Sequence, residues 1–126
     1  MAAMSTYLKN ALINETLRNV NYVPVSPIYI ALYTGNPLTV GGEIAVGSYA
    51  RQTITFINPI AGVTENATLI TFPTATADWG IIAYFGIRDA LTAGNLLYAG
   101  ALTEARTILT GDTLTVPIGN LDITLT

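Results

Sequence analysis

Two apolar runs held apart by a short polar turn constrain this chain more than any other feature. The runs are Ile81–Ile87 and Leu96–Leu102, and Asp89-Ala90-Leu91-Thr92-Ala93-Gly94-Asn95 lies between them. That linking segment is small and polar enough to reverse the chain, so the pair reads as a β-hairpin through the middle of a core. The surrounding stretch, Thr71–Leu102, carries the one tryptophan, Trp79, and two of the three phenylalanines, Phe72 and Phe85. Trp79 is expected as a core plug rather than a docking residue, with Phe72, Phe85 and Phe56 as further core. Asp78, in the loop of small residues ahead of the hairpin, is expected to accept bonds from nearby amides.

The rest of the chain can be arranged around that hairpin. A helix is expected over about residues 5–19, started by Ser5 or Thr6 and ended before Pro24 and Pro27. Leu8, Leu12, Ile13, Leu17 and Val20 fall on one broad side of it. Such a helix either covers an open end of the sheets or forms an arm on a neighbouring subunit. Met1-Ala2-Ala3 reads as an extension ahead of Met4. Ile28–Thr34 is apolar on both faces, which suits a central or doubly covered strand. Thr34–Ser48 is a loop with Gly35-Asn36-Pro37 and Gly41-Gly42 as turn signals. In Tyr49–Asn58, Ala50, Gln52, Ile54 and Phe56 face one way, and Arg51, Thr53 and Thr55 the other. Val63–Phe72 reads as one weak strand and Glu104–Leu109 as a short strand or bend. Thr113–Ile118 turns Leu114, Val116 and Ile118 inward, with Pro117 marking an edge or bulge. After a Gly119-Asn120 turn, Leu121, Ile123 and Leu125 form the inward side of a last strand. The expected fold is mainly β: an antiparallel β-sandwich or small barrel of about seven or eight strands with one N-terminal α-helix. It is read as a single domain over residues 1–126, with the β part over about 28–126.

The composition narrows the chemistry. Cysteine and histidine are both absent, which removes disulfides, thiolate ligands and the usual general base near neutral pH. Ser5, Ser26 and Ser48 sit in no nucleophile elbow. Asp78 and Asp89 are the acids nearest the aromatic centre, and both stand in turn-like contexts that favour backbone bonding over acid catalysis. Gly41-Gly42-Glu43 lacks the Gly-Lys-Ser/Thr element of a phosphate loop. No cofactor, metal or catalytic residue is expected, and the chain is not expected to be an enzyme. The cations Lys9, Arg18, Arg51, Arg88 and Arg106 are scattered in a chain of net charge −3, which argues against nucleic acid as a partner. No run reaches the roughly 20 apolar residues of a membrane span. Asn14-Glu15-Thr16 and Asn66-Ala67-Thr68 match the glycosylation acceptor pattern, but without a secretion signal they read as chance.

Charged residues make up only 10% of the chain and hydrophobic ones 51%, against roughly 25% charged in an ordinary domain. So few charges cover a small domain poorly. The surface is expected to be a neutral, threonine-coated sheet, or to be partly buried against copies and partners, and both can hold at once.

One set of segments resembles a known family. They are Tyr7-Leu8 to Leu12, Ile28–Thr34, Gly47-Ser48-Tyr49-Ala50-Arg51-Gln52, Ile70–Gly80, Asn95–Leu102, Gly111-Asp112-Thr113 and Gly119-Asn120-Leu121. In this order the chain resembles a family of small structural proteins of tailed bacteriophages, loosely labelled tail-fibre-like. Phe-Pro-Thr-Ala-Thr-Ala-Asp-Trp-Gly, Phe72–Gly80, is the most specific part. The Thr34–Ser48 loop departs from the resemblance in being less acidic. The resemblance implies a virion component, made in the cytoplasm of the host bacterium, and brings no catalytic residues.

Within that class the compact, non-repetitive chain favours a capsid decoration (cement) protein, with the major capsid protein as partner. The alternative is a tail-associated fibre or baseplate protein, or a receptor- or carbohydrate-binding module. A homo-oligomer is expected in either case. The residues expected to touch partners are Tyr7 and Leu8 on the helix, and Asn36, Pro37, Leu38 and Glu43 on the loop.

Overall fold

The computed structural model describes residues 2–125. The chain opens with β1 (Ala2–Met4), α1 (Thr6–Arg18), β2 (Ile28–Tyr33) and β3 (Gln52–Ile54). It continues with β4 (Val63–Glu65), β5 (Ile70–Thr71), β6 (Gly80–Arg88), β7 (Leu96–Ile108), β8 (Thr115–Val116) and β9 (Asp122–Thr124). Five strands form one sheet in the order β1-β7-β6-β2-β3, and β4-β9 and β5-β8 form two small ladders. Every pairing is antiparallel. The fold is mainly β, and among the described residues no sheet closes into a barrel.

The β6–β7 hairpin is the spine. Ile30 pairs with Ile87 and Leu32 with Phe85 across β2 and β6, which sets these four side chains on one face. Against that face pack Ile70, Phe72, Leu114, Leu121 and Ile123 from the two ladders and their flanks, together with Trp79. Trp79, Phe72 and Phe85 are buried, whereas Phe56 lies at the margin of the core and is only partly covered. Trp79 meets the Tyr49 ring edge-on, with centroids 5.5 Å apart. Its Nε1 has no hydrogen-bond partner. Gly86, mid-strand in β6, is required by packing. A Cβ there would stand 2.8 Å from the Tyr33 ring and 2.9 Å from Leu96.

Several elements differ from the sequence reading. Ala2 and Ala3 are part of the fold: with Met4 they pair with Gly100, Ala99 and Tyr98 and form the edge of the large sheet. Ser5 then caps the helix, its hydroxyl accepting from the Leu8 amide at 3.1 Å while its own amide donates to the Leu97 carbonyl at 2.9 Å. Asn19 ends α1 in the left-handed region, at φ 55°. Leu8 and Leu12 face the body, but Ile13, Leu17 and Val20 are exposed, so the broad apolar side is in fact two sides.

The segment Glu104–Ile108 continues β7 rather than forming a separate strand. Pairing there is broken by a wide bulge. Ile82 faces Arg106 and Tyr84 faces Ala101, which leaves Leu102 to Ala105 opposite Ala83 alone.

Val63–Phe72 is split between two ladders, and Asn66 is the reason. It is fully buried, its amide donating to the Thr68 and Pro117 carbonyls at 2.9 Å and its carbonyl accepting from the Leu121 amide at 3.0 Å. A side chain so used turns the backbone out of strand geometry, and it leaves nothing accessible for modification. Ile118 and Leu125, expected inward, are exposed beyond the short β8 and β9.

Candidate functional site

The polar chemistry is concentrated where the 34–48 loop meets the turn of the β6–β7 hairpin. Alternation along Tyr49–Asn58 points Arg51 outward, yet Arg51 is 8% exposed. Glu43 holds it there. Arg51 Nε and Nη2 donate to the two Glu43 carboxylate oxygens, each at 2.8 Å. Its Nη1 donates to the carbonyls of Ala90 and Ala93 at 2.8 and 2.9 Å. The fork geometry of a guanidinium makes this possible, with one edge on a carboxylate and the remaining donor on backbone. Tyr49 completes the group, its hydroxyl donating to Glu43 at 2.7 Å and accepting from the Leu32 amide at 3.1 Å. Beside it, Arg88 donates to the Tyr33 hydroxyl at 2.8 Å and to the Gly94 carbonyl at 3.2 Å.

The proton affinities follow from this packing. Burial would raise the Glu43 pKa, but the bonds from Arg51 and Tyr49 outweigh it and hold the carboxyl below the usual glutamate range. Glu43 in turn pushes Arg51 higher. Burial drives the Tyr49 hydroxyl far above its ordinary value. All three groups keep fixed charge states near neutral pH, which suits a latch between two loops and gives no proton to exchange.

The other acids near the hairpin are occupied by backbone. Asp78 accepts from the Thr110 amide at 2.8 Å and the Thr110 hydroxyl at 2.9 Å, and these bonds hold its pKa down. Asp89 accepts from the Asn95 amide at 2.7 Å. Asp112 accepts from the Leu109 amide at 2.9 Å. Among the described residues no group of three or more potential ligand side chains is placed to hold a metal ion. None of the described helices is long and apolar enough to cross a membrane.

The residues expected to touch partners fall into three groups. Tyr7 and Leu38 are exposed. Asn36 and Pro37 are half-buried, and the Asn36 side chain accepts from the Leu38 amide at 2.9 Å, so it shapes its own loop. Leu8 and Glu43 face inward: Leu8 is core, and the Glu43 carboxylate is spent on Arg51 and Tyr49.

Two surfaces lie outside the residues expected to touch partners. The first is the outer side of α1 with the arm after it. Leu17 is 79% exposed and Val23 76%, with Ile13, Val20 and Val25 also open. The Tyr22 amide donates to Glu15 at 3.0 Å, which ties the arm back to the helix. The available signal was the breadth of the helix's apolar side, too wide for a single buried stripe. The second is a cleft of about 550 Å³ beneath the β7 bulge. Its floor is core, formed by Leu32, Phe85, Leu114 and Leu121, and its rim carries Glu104, Arg106 and Asp122. A cleft built from both ends of the chain leaves no local trace in sequence.

Comparison with known proteins bears on what such surfaces serve. A family model described as "Gp80: Podophage GP4 fiber I protein gp80" matches residues 3–124. No curated protein matches the chain.

Proposed function

The chain belongs to the podophage fiber I protein family, and from that premise we propose that it is a non-enzymatic building block of a tail fibre. The family match over nearly the whole chain carries this reading, and it moves the preference from the capsid shell to the tail. A virion structural protein of this kind works by being bound on several sides at once. The exposed aliphatic side chains of α1, the arm and the 34–48 loop supply those contacts. The Arg51–Glu43 latch keeps the loop in one shape, so its edge is presented without an ordering cost on assembly. Other copies of the chain and neighbouring tail proteins are the partners on this reading.

The test is location and copy number in purified particles. Fab fragments raised against the chain, viewed by negative-stain microscopy, are expected on the tail alone. Quantitative mass spectrometry is expected to give at most a few dozen copies per particle. Label spread over the head, at hundreds of copies, would return the protein to capsid decoration.

A further inference from the structure

Two open surfaces of this chain differ in form and in the sign of the charges around them. The convex one is the outer side of α1 with its arm, where Ile13, Leu17, Val20, Val23 and Val25 are exposed. These side chains offer on the order of 500 Å² of apolar area, about the apolar share of one side of a standard interface. The concave one is the cleft of about 550 Å³ with its core floor and charged rim.

One rim residue, Asp122, also faces a like charge outside the cleft. Register places Glu65 directly opposite Asp122 across the β4–β9 ladder, and facing like charges destabilise a strand pair. Among the described residues neither is in an ion pair, since the one salt bridge is Arg51–Glu43. Glu104 is the second acid of the cleft lining beside Asp122, against the single cation Arg106. The helical end has the opposite sign. Residues 1–27 hold Lys9, Arg18 and Glu15, a net +1, which leaves −4 for residues 28–126 of a chain at −3.

We propose that the helix-and-arm surface of one copy docks head to tail in the cleft of a second copy. The aliphatic side chains of the arm and helix meet the apolar floor, and the cations of the helix meet the rim acids Glu104 and Asp122. The inference rests on the fibre reading and names the surfaces through which copies join. Because the two surfaces differ, the contact does not close by a two-fold axis. It propagates into a ring or a row.

The absence of cysteine gives a clean test. Leu17→Cys and Thr115→Cys are made in separate, differently tagged full chains; both positions are exposed. The folded variants, checked by Trp79 emission, are mixed and treated with a short bismaleimide. The mixed Leu17–Thr115 product is expected to exceed either homodimer at least tenfold, and Asp122→Lys in the Thr115→Cys chain is expected to lower it about tenfold. A dominant Leu17–Leu17 product would mean that helices pack on each other and would overturn the proposal. Absence of any product at concentrations up to those at which the chain self-associates would overturn it as well. Tail labelling of particles is independent of the cross-link, so the fibre reading can survive while this contact fails, and the reverse.

Discussion

Arg51→Met removes the group that ties the 34–48 loop to the hairpin turn, and its cost can be worked from the geometry. The guanidinium makes four hydrogen bonds of 2.8–2.9 Å, two to Glu43 and one each to Ala90 and Ala93. Breaking a fully buried ion pair on one side costs about 3–5 kcal/mol. The Glu43 side chain keeps 25% of its exposure and its bond from Tyr49, so water recovers part of that loss. An expected value is about 2–4 kcal/mol. Glu43→Gln keeps acceptor and shape and should cost about 1–2 kcal/mol. With Trp79 as the sole tryptophan, urea unfolding followed by its emission measures each variant and the double variant. The double variant is expected to be less destabilised than the two singles added together, because each single strands the other's partner. The sign of the pH dependence is fixed too. The Glu43 pKa is lowered in the fold from an ordinary value of 4.5. Its contribution is therefore complete above 4.5 and is lost as pH falls through the lower folded value. Glu43→Gln should flatten that acid limb. A loss below about 1 kcal/mol in Arg51→Met, with amide exchange in residues 89–95 unchanged, would refute the latch.

Other variants test other joints of the structure. Asn66→Ala strands the Leu121 amide and two carbonyls in a fully buried position, and should cost about 3–5 kcal/mol in urea unfolding. A loss under about 1 kcal/mol would show that the clip does not hold β4 and β9. Trp79→Ala should cost about 3–5 kcal/mol by the cavity it leaves, measured by circular dichroism since the fluorophore is gone. Asp122→Asn relieves the facing Glu65 and should stabilise the isolated chain by a few tenths of a kcal/mol. That gain should shrink as salt rises, and a destabilised variant would contradict the repulsion.

How much of this was legible in the sequence depended on whether the cause was local. The hairpin was legible because two apolar runs and the turn Asp89–Asn95 lie side by side in the chain. The helix start was legible because Ser5 acts on its immediate neighbours, whereas the end is made by Asn19 in the left-handed region, ahead of Pro24 and Pro27. Arg51 was misread because its burial is decided by Glu43 and by two carbonyls of another loop, a partnership that period-2 alternation cannot register. Asn66 was misread for a similar reason, its amide reaching Pro117 and Leu121. Ala2–Met4 offered three small or flexible side chains with no pattern, and only the waiting edge of β7 makes them a strand. The apolar positions of α1 were seen, but periodicity does not say which side the body covers. Leu8 and Leu12 are taken inward, and Ile13 and Leu17 are left out. The contact residues were chosen by turn chemistry, which finds where a chain bends rather than what it presents. Of the residues so chosen the structure exposes Tyr7 and Leu38 and turns Leu8 inward, while Val40, 90% exposed, is not among them.

The distribution of charge links the fold to assembly. Of the five cations, Arg51 and Arg88 are tied to the loops at one end of the hairpin. Arg18 donates to its neighbour Asn14 at 2.9 Å. Arg51 and Arg88, with the acids Glu43, Asp78, Asp89 and Asp112, are therefore used to fix loops, and Ile13, Leu17, Val20, Val23 and Val25 are left exposed on the helix and arm. In an isolated soluble protein that distribution would be a liability, because exposed contiguous apolar area promotes association. In a fibre subunit it is consistent with use. Rigid loops keep the shape of each copy constant, and the apolar helix face is stabilising only once another surface covers it. Such a chain is expected to gain stability with concentration, since whatever binds the native state and not the unfolded one shifts the equilibrium by mass action. The isolated monomer then needs only enough stability to persist until it is placed.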